Sequence, residues 1–122
     1  LNFGHTLGHA IESYFLENEN KTSLLHGEAI AAGMILESYI SKEKGLLTNE
    51  EYHEIKYIIN DIFERIEFNE NDINQIIELL IYDKKNEFGK VQFALLDGIG
   101  KIKINQEADN ELIFKAFEDY AV

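Results

Sequence analysis

The chain has 122 residues, enough for one domain with a single core but not comfortably for two. Its 11 basic and 23 acidic residues give a net charge of −12, which argues against nucleic acid as a partner because phosphate binding needs a basic face. The absence of cysteine excludes disulfides and thiolate metal sites, and no apolar run approaches the roughly 20 residues of a membrane span. We therefore expect a soluble cytoplasmic domain whose partners are neither nucleic acids nor membranes.

Helical periodicity dominates the first half of the chain. One helix is predicted over residues 4–16 and a second over residues 25–44, where Gly45 ends it. Thr48 followed by Glu51 forms a capping box that begins a third helix. The apolar side of that third helix comprises Tyr52, Ile55, Ile58, Ile59, Ile62 and Phe63.

The second half changes from helix to strand and back. Asn71 or Asp72 is the expected cap of a fourth helix, with an inner side of Ile73, Ile76, Ile77, Leu80 and Ile81. Residues 91–96 and 101–104 read as two short strands joined by a glycine-containing turn, and residues 109–121 read as a final helix. The predicted fold class is mainly α, a helical bundle with one small antiparallel β-hairpin.

Small residues mark a close approach between backbones. Residues 29–33 are mostly alanine and glycine, and Gly4 and Gly8 lie in the first helix. Each helical glycine costs about 1 kcal/mol relative to alanine, so a nearby ligand or a second backbone is expected to offset that cost. We also expect apolar surface around Leu1, Phe3 and residues 29–33 to be left exposed for a partner.

Three of the four histidines fall within 22 residues, at positions 5, 9 and 26. His5 and His9 are four apart and share one helix face, about 6 Å apart along its axis. The ten residues from the first helix to His26 can return along that helix, because extended chain covers about 3.3 Å per residue. Imidazole is a common ligand of zinc-like metals, and Glu28 is a candidate to orient one ring. The spacing alone leaves surface or core histidines open as an alternative, and we assign His53 no role.

Four strings of the sequence carry a family resemblance. LNFGHTLGHAIE at residues 1–12 and LLHGEAIAAGM at residues 24–34 closely resemble the signature of the 3-dehydroquinate synthases. DKKN at residues 83–86 and LLDGIG at residues 95–100 resemble later motifs of that family in order and approximate spacing. The wider superfamily also contains iron-dependent alcohol dehydrogenases, glycerol dehydrogenases and other sugar-phosphate cyclases.

The resemblance implies an architecture and a reaction. Members have an NAD-binding N-terminal domain, which is absent from this chain, and a C-terminal helical domain that binds metal and substrate. The active site lies in the cleft between the two. The implied reaction converts 3-deoxy-D-arabino-heptulosonate 7-phosphate to 3-dehydroquinate and phosphate, in the shikimate route to aromatic amino acids. The implied cofactors are NAD, used transiently, and a divalent metal, zinc or cobalt.

The resemblance also implies roles for individual residues. His5 and His26 match the two metal-ligating histidines of the family, whose third ligand is a glutamate upstream of Leu1. His9 matches a catalytic histidine that contacts the substrate near its phosphate. The implied substrate-binding set is Asn2, His9, Lys84 and Lys85, and which of the two lysines contacts phosphate stays open.

Several readings compete with a 3-dehydroquinate synthase domain. A sibling cyclase would make a cyclitol, whereas a glycerol dehydrogenase-like enzyme would have no use for a phosphate-binding lysine. A non-enzymatic helical module predicts that the three histidines do not converge. If the leading interpretation holds, the chain alone is inactive, does not bind NAD, and binds metal weakly or not at all. Its partners are then its own N-terminal domain and, within a homodimer, a second subunit.

Overall fold

The computed structural model describes residues 2–22, 24–84 and 90–122 of the chain. These residues form five helices and one two-stranded antiparallel sheet, which confirms the predicted fold class. The elements, in chain order, are α1 (His5–Glu17), α2 (His26–Glu43), α3 (Asn49–Ile62), α4 (Glu70–Lys84), β1 (Lys90–Leu96), β2 (Ile102–Asp109) and α5 (Asn110–Tyr120). Across these described ranges, we find no helix with the length and apolarity needed to cross a bilayer.

Helix α2 lies at the centre and packs against α1, α3, α5 and β1. Glycines lie at its crossing with α1 and allow the two backbones to come close. A Cβ at Gly33 would stand 2.2 Å from the Gly4 carbonyl oxygen and 2.7 Å from the Gly8 amide nitrogen. Of the two predicted causes of these glycines, a ligand or a second backbone, the structure shows a second backbone. The expectation that residues 29–33 would be exposed is wrong, because neighbouring elements enclose α2: Ala29, Ala31 and Ala32 are at most 4% exposed. Leu1 lies outside the described residues.

The core contains the apolar sides of α1, α2, α4 and α5 together with β1. Its largest fully buried side chains are Tyr52, Tyr120, Phe93, Phe117, Leu7, Ile11, Ile35, Leu36, Ile40, Ile76, Leu80 and Leu95. The hydroxyl groups of the two tyrosines in this set both have hydrogen-bond partners. Tyr52 donates to the Asp119 carboxylate, and Tyr120 accepts the Ile66 amide hydrogen at 2.9 Å.

The start of α4 differs from the prediction. Asn69, rather than Asn71 or Asp72, caps this helix: its side-chain oxygen accepts the Asp72 amide hydrogen at 2.7 Å. In return, the carboxylate of Asp72, at the third helical position, accepts the Asn69 amide hydrogen at 2.9 Å. This reciprocal pair is a capping box, and it places the first helical residue at Glu70.

The hairpin is longer than predicted because it contains a bulge. Strand β2 continues beyond the predicted end at residue 104 to Asp109. Phe93 pairs with Gln106 whereas Leu95 pairs with Lys103, so one residue of β1 faces two of β2. Asn105 adopts a left-handed φ of 57° at this point.

Helix α3 buries less of its apolar side than predicted. Tyr52 is fully buried, but Ile58 is 50% and Ile62 is 69% exposed. Tyr57 is 74% exposed beside them. The reason is the position of α3, which packs chiefly against α2 and has no second layer over its outer side among the described residues.

Candidate metal centre

Three imidazole rings converge where α1 meets the first turn of α2. The ring centroids of His5 and His9 are 5.0 Å apart, and the His26 centroid lies 6.0 Å from the first and 5.9 Å from the second. One nitrogen from each ring can be chosen so that all three lie within 4.8 Å of one another. The predicted metal ligands and the predicted substrate-contacting histidine thus belong to one cluster.

Local structure explains the convergence. His5 and His9 are one turn apart on α1, and His26 is the first residue of α2. The glycine crossing described above brings the two helices close enough for their rings to meet. His5 is half-buried, whereas His9 and His26 are exposed, so the cluster is open to solvent on one side.

Two of the rings have a hydrogen bond at Nδ1. The His5 Nδ1 lies 3.2 Å from the Phe3 carbonyl oxygen, and the His26 Nδ1 lies 3.1 Å from Oε1 of Glu12. Both partners are acceptors, so each Nδ1 carries the hydrogen and donates it. The lone pair of each neutral ring is then on Nε2, the atom that remains for a metal.

The carboxylate beside the cluster is not the one that the sequence suggested. Glu28 was the candidate to orient an imidazole, but its carboxylate accepts the Leu25 amide hydrogen at 2.9 Å and caps α2. Glu12 occupies the expected role beside His26. Its spacing was an available signal, because Glu12 lies seven residues after His5 and three after His9, on the same face of one helix.

A buried carboxylate fixes the helix that carries two of the histidines. Glu37 of α2 is 0% exposed. Its two oxygens accept the amide hydrogens of Gly4 and Leu7, each at 2.9 Å. A negative charge is favourable at a helix N-terminus, where amide hydrogens lack partners within the helix. Periodicity and motif spacing do not identify this residue as functional, although it is the single charged residue between Ala29 and Ile40.

The connection before His26 is anchored to α4. Lys21 forms an ion pair with Asp72 at 2.9 Å, and the Tyr14 hydroxyl donates to the same carboxylate at 2.5 Å. Burial alone would raise the pKa of Asp72, but hydrogen bonds from Tyr14, the Asn69 amide and Lys21 outweigh it and hold the pKa below its usual value. One carboxylate of α4 therefore holds both Tyr14 of α1 and Lys21 of the connection that follows.

The structure describes the other predicted site residues only in part. Asn2 is exposed one turn before the cluster, and its carbonyl oxygen accepts the His5 amide hydrogen at 3.1 Å. Lys84 is the last residue of α4, and the position of its side chain is not described. Lys85 lies outside the described residues. His53 is exposed on α3 and is not a member of the cluster.

The donor set fits a zinc-like divalent ion. Neutral imidazole nitrogens are usual ligands of such ions, and catalytic sites combine three protein ligands with one open position. Two of the three rings already present Nε2 through hydrogen bonds at Nδ1. The solvent-facing side of the cluster leaves room for a further ligand or a substrate oxygen.

Comparisons of the sequence agree on one family. A family model described as 3-dehydroquinate synthase C-terminal matches residues 1–86. A 3-dehydroquinate synthase of Picrophilus torridus is 44% identical over 114 residues, which cover 93% of this chain and 32% of that protein. A 3-dehydroquinate synthase of Parabacteroides distasonis is 38% identical over 120 residues, 98% of this chain and 33% of that protein. The chain spans about a third of the length of the curated relatives that it matches.

Solved structures show the same fold. A 2-deoxy-scyllo-inosose synthase complexed with carbaglucose-6-phosphate, NAD+ and Co2+ aligns with a TM-score of 0.74 at 29% identity. The alignment covers 96% of this chain and 32% of that one. The 2-epi-5-epi-valiolone synthase ValA from Streptomyces hygroscopicus subsp. jinggangensis 5008, at 24% identity and a TM-score of 0.73, supports the fold alone. The family model and the curated relatives together show that this chain belongs to the 3-dehydroquinate synthase family and corresponds to its C-terminal part.

Proposed function

We propose that this chain is the metal- and substrate-binding domain of a 3-dehydroquinate synthase. The whole enzyme would convert 3-deoxy-D-arabino-heptulosonate 7-phosphate to 3-dehydroquinate and phosphate. The observation that carries the proposal is the convergence of His5, His9 and His26 within 4.8 Å, in a chain of this family. Cytoplasmic location and a homodimer remain predictions.

His5 and His26 would hold a divalent ion, zinc or cobalt. When bound, such an ion supplies Lewis-acid chemistry to substrate oxygens. Support comes from the two Nδ1 hydrogen bonds, which leave Nε2 of both rings as donors. It also comes from the Co2+ and NAD+ in the related 2-deoxy-scyllo-inosose synthase structure. NAD would be held mainly by the part of the enzyme that this chain does not include.

His9 and Asn2 would bind the substrate. His9 is exposed and its ring lies 5.0 Å from that of His5, so a molecule that contacts the ion can also reach His9. As the histidine assigned to the phosphate end, it would hydrogen-bond substrate oxygens and orient them. Asn2, with Lys84 or Lys85, would complete the phosphate site and concentrate polar contacts on a domain of net charge −12.

A sibling cyclase acting on another sugar phosphate is the second candidate. The solved structure of 2-deoxy-scyllo-inosose synthase favours it, because that enzyme shares the fold over 96% of this chain. The curated relatives favour the heptulosonate, since they are 3-dehydroquinate synthases at up to 44% identity. The two candidates differ in substrate and product and not in the metal centre.

The test is phosphate release from the heptulosonate 7-phosphate by a longer chain that joins these residues to an NAD-binding domain. Release that requires both NAD and zinc or cobalt, with 3-dehydroquinate as product, is expected. His9→Ala should lower kcat/KM by about 100-fold or more. His53→Ala is the matched control, an exposed histidine outside the cluster, and should leave it unchanged. Turnover of a different sugar phosphate only would establish the sibling cyclase.

The 122-residue chain alone is proposed to be inactive, since its metal site lacks a ligand from the rest of the enzyme. Calorimetry with zinc should show weak binding or none. Nanomolar binding by this chain that His5→Ala abolishes would contradict the proposal of an incomplete site.

A further inference from the structure

Glu12 links the two helices that build the histidine cluster. It lies on α1, and its Oε1 accepts a hydrogen bond from Nδ1 of His26, the first residue of α2, at 3.1 Å. Fourteen positions separate the two residues in the chain, so the contact depends on how the helices cross. The Glu12 side chain is 31% and the His26 side chain 58% exposed.

We propose that Glu12 is a positioning residue for the metal centre, holding His26 with hydrogen on Nδ1 and with Nε2 turned toward His5 and His9. The proposal deepens the function proposed above and rests on it for the identity of the ligand, a divalent metal ion. Glu12 itself would not touch the ion or the substrate.

The chemistry of the contact assigns the tautomer. A carboxylate has no hydrogen to give, so the shared hydrogen belongs to the imidazole. With Nδ1 occupied, a neutral ring has its lone pair on Nε2. Histidine ligands of metals are commonly oriented in this way by a carboxylate, which also makes the ligating nitrogen more basic.

The two predicted metal ligands are held by different means. The Nδ1 of His5 donates to the carbonyl oxygen of Phe3, two residues earlier in the backbone. That acceptor is fixed by the start of α1, and His5 is half-buried. His26 is exposed at the first position of its helix, where its ring can rotate toward solvent. A side-chain acceptor from the other helix is therefore needed to restrict it.

Glu12 is also the acidic group that sequence spacing places on the histidine face of α1. Glu17 lies on the same helix but is exposed beyond the cluster, near Asn18 and Asn20. Replacing either residue removes the same charge from the same helix. Glu17→Ala is thus a matched control for Glu12→Ala.

The experiment has two readouts. Long-range 1H–15N NMR on the 122-residue chain, at a pH where imidazoles are neutral, reports which nitrogen of His26 carries the hydrogen, without any metal. Zinc competition against a chromophoric chelator, on a longer chain that joins these residues to an NAD-binding domain, gives the dissociation constant. Circular dichroism checks that each variant is folded.

In the unsubstituted chain, His26 is expected in the Nδ1–H form. Glu12→Ala should shift it toward the Nε2–H form that free histidine prefers, and should weaken zinc binding by about 10–100-fold. Glu12→Gln retains an acceptor oxygen and should preserve the Nδ1–H form, with intermediate zinc affinity. Glu17→Ala should change neither readout.

An Nε2–H form of His26 in the unsubstituted chain, or a tautomer ratio that Glu12→Ala leaves unchanged, would overturn the positioning role. Equal loss of zinc affinity in Glu12→Ala and Glu17→Ala would overturn it as well, because the effect would then be general charge. If His26 shows the Nδ1–H form but the longer chain binds no zinc even at millimolar concentration, that result would count against the metal centre itself. The tautomer readout therefore judges Glu12 separately from the proposed function.

Discussion

Helices α2 and α3 are neighbours, yet they use apolar residues in opposite ways. Residues of α2 are buried almost all round, with alanine and glycine against α1 and larger side chains against the core. Helix α3 has a regular apolar stripe, but Ile58 and Ile62 on it are at least half exposed. A strong apolar periodicity therefore predicts that a helix forms. Small residues are the better indicator of which side of the helix is buried against another element.

Helices α2 and α3 also differ in whether they contribute to the histidine cluster. The α1–α2 crossing brings together His5, His9, His26 and Glu12. Helix α3 contributes none of these residues, and its own histidine is exposed outside the cluster. The candidate metal site therefore lies at a crossing of two helices, where side chains from different elements are held at fixed positions.

The largest expected effect comes from filling the crossing. Gly33→Ala should lower the free energy of unfolding by about 3 kcal/mol, since the new methyl group meets backbone atoms of Gly4 and Gly8, which cannot rotate away. Gly27→Ala, in the same helix, meets no atom closer than 3.9 Å and should be neutral or slightly stabilising. Urea denaturation of both variants measures the difference. Equal stabilities would mean that the crossing is looser than described.

Removing the buried charge at the crossing should have the next largest effect. Glu37→Gln replaces one acceptor oxygen by a donor group, so the amide hydrogen of Gly4 or of Leu7 loses its partner at a cost of about 2 kcal/mol. Glu43→Gln is a control on the same helix, where the carboxylate is 41% exposed and pairs with Lys42. Chemical denaturation should show a change of a few tenths of a kcal/mol for that control.

The anchor of the connection before His26 should appear in the pH dependence of stability. The pKa of Asp72 is lowered in the folded chain, so its contribution is complete above the unfolded value of about 3.9 and is lost as pH falls through the folded value. Asp72→Asn should cost about 1.5 kcal/mol at pH 7 and flatten the acid limb of the stability curve. Thermal unfolding between pH 2 and 7 measures both. An unchanged acid limb in the variant would contradict the assignment.

Substitution on the open side of α3 should have the smallest effect. Ile62→Ala removes a side chain that is 69% exposed and should change stability by no more than about 0.5 kcal/mol. Ile76→Ala, at a fully buried position, should cost about 3 kcal/mol. Measurements at two protein concentrations sharpen the comparison. A large, concentration-dependent loss for Ile62→Ala would show that a second copy covers this side.

Local signals were sufficient for most of the fold. The periodicity of α1 and α2 and the Thr48–Glu51 capping box were predicted, and each depends on residues close in the chain. The final helix was also predicted, and the structure shows that Asp109 is its cap rather than its first residue. The cap of α4 was misplaced because Asn69, Asn71 and Asp72 are all good capping residues. The bulge in β2 was missed because it depends on pairing with β1.

The site was predictable in its histidines but not in its carboxylates. His5 and His9 share a face by spacing, the connection is long enough to bring His26 back to them, and the family resemblance implied which of the three bind metal. Glu37 and Glu12 act across the α1–α2 crossing, at separations of 14 residues or more from their partners. Local sequence patterns do not indicate which acidic residue will hydrogen-bond to a neighbouring helix. The contacts of Glu12 and Glu37 could therefore be identified only from the tertiary structure.

The most direct test of the metal centre is anomalous diffraction from crystals, grown with millimolar cobalt, of a longer chain that joins these residues to an NAD-binding domain. A peak is expected about 2.1 Å from Nε2 of both His5 and His26, a distance typical of metal–imidazole bonds. A map with no peak at the cluster, or with cobalt bound only elsewhere on the acidic surface, would contradict the assignment of these histidines as metal ligands.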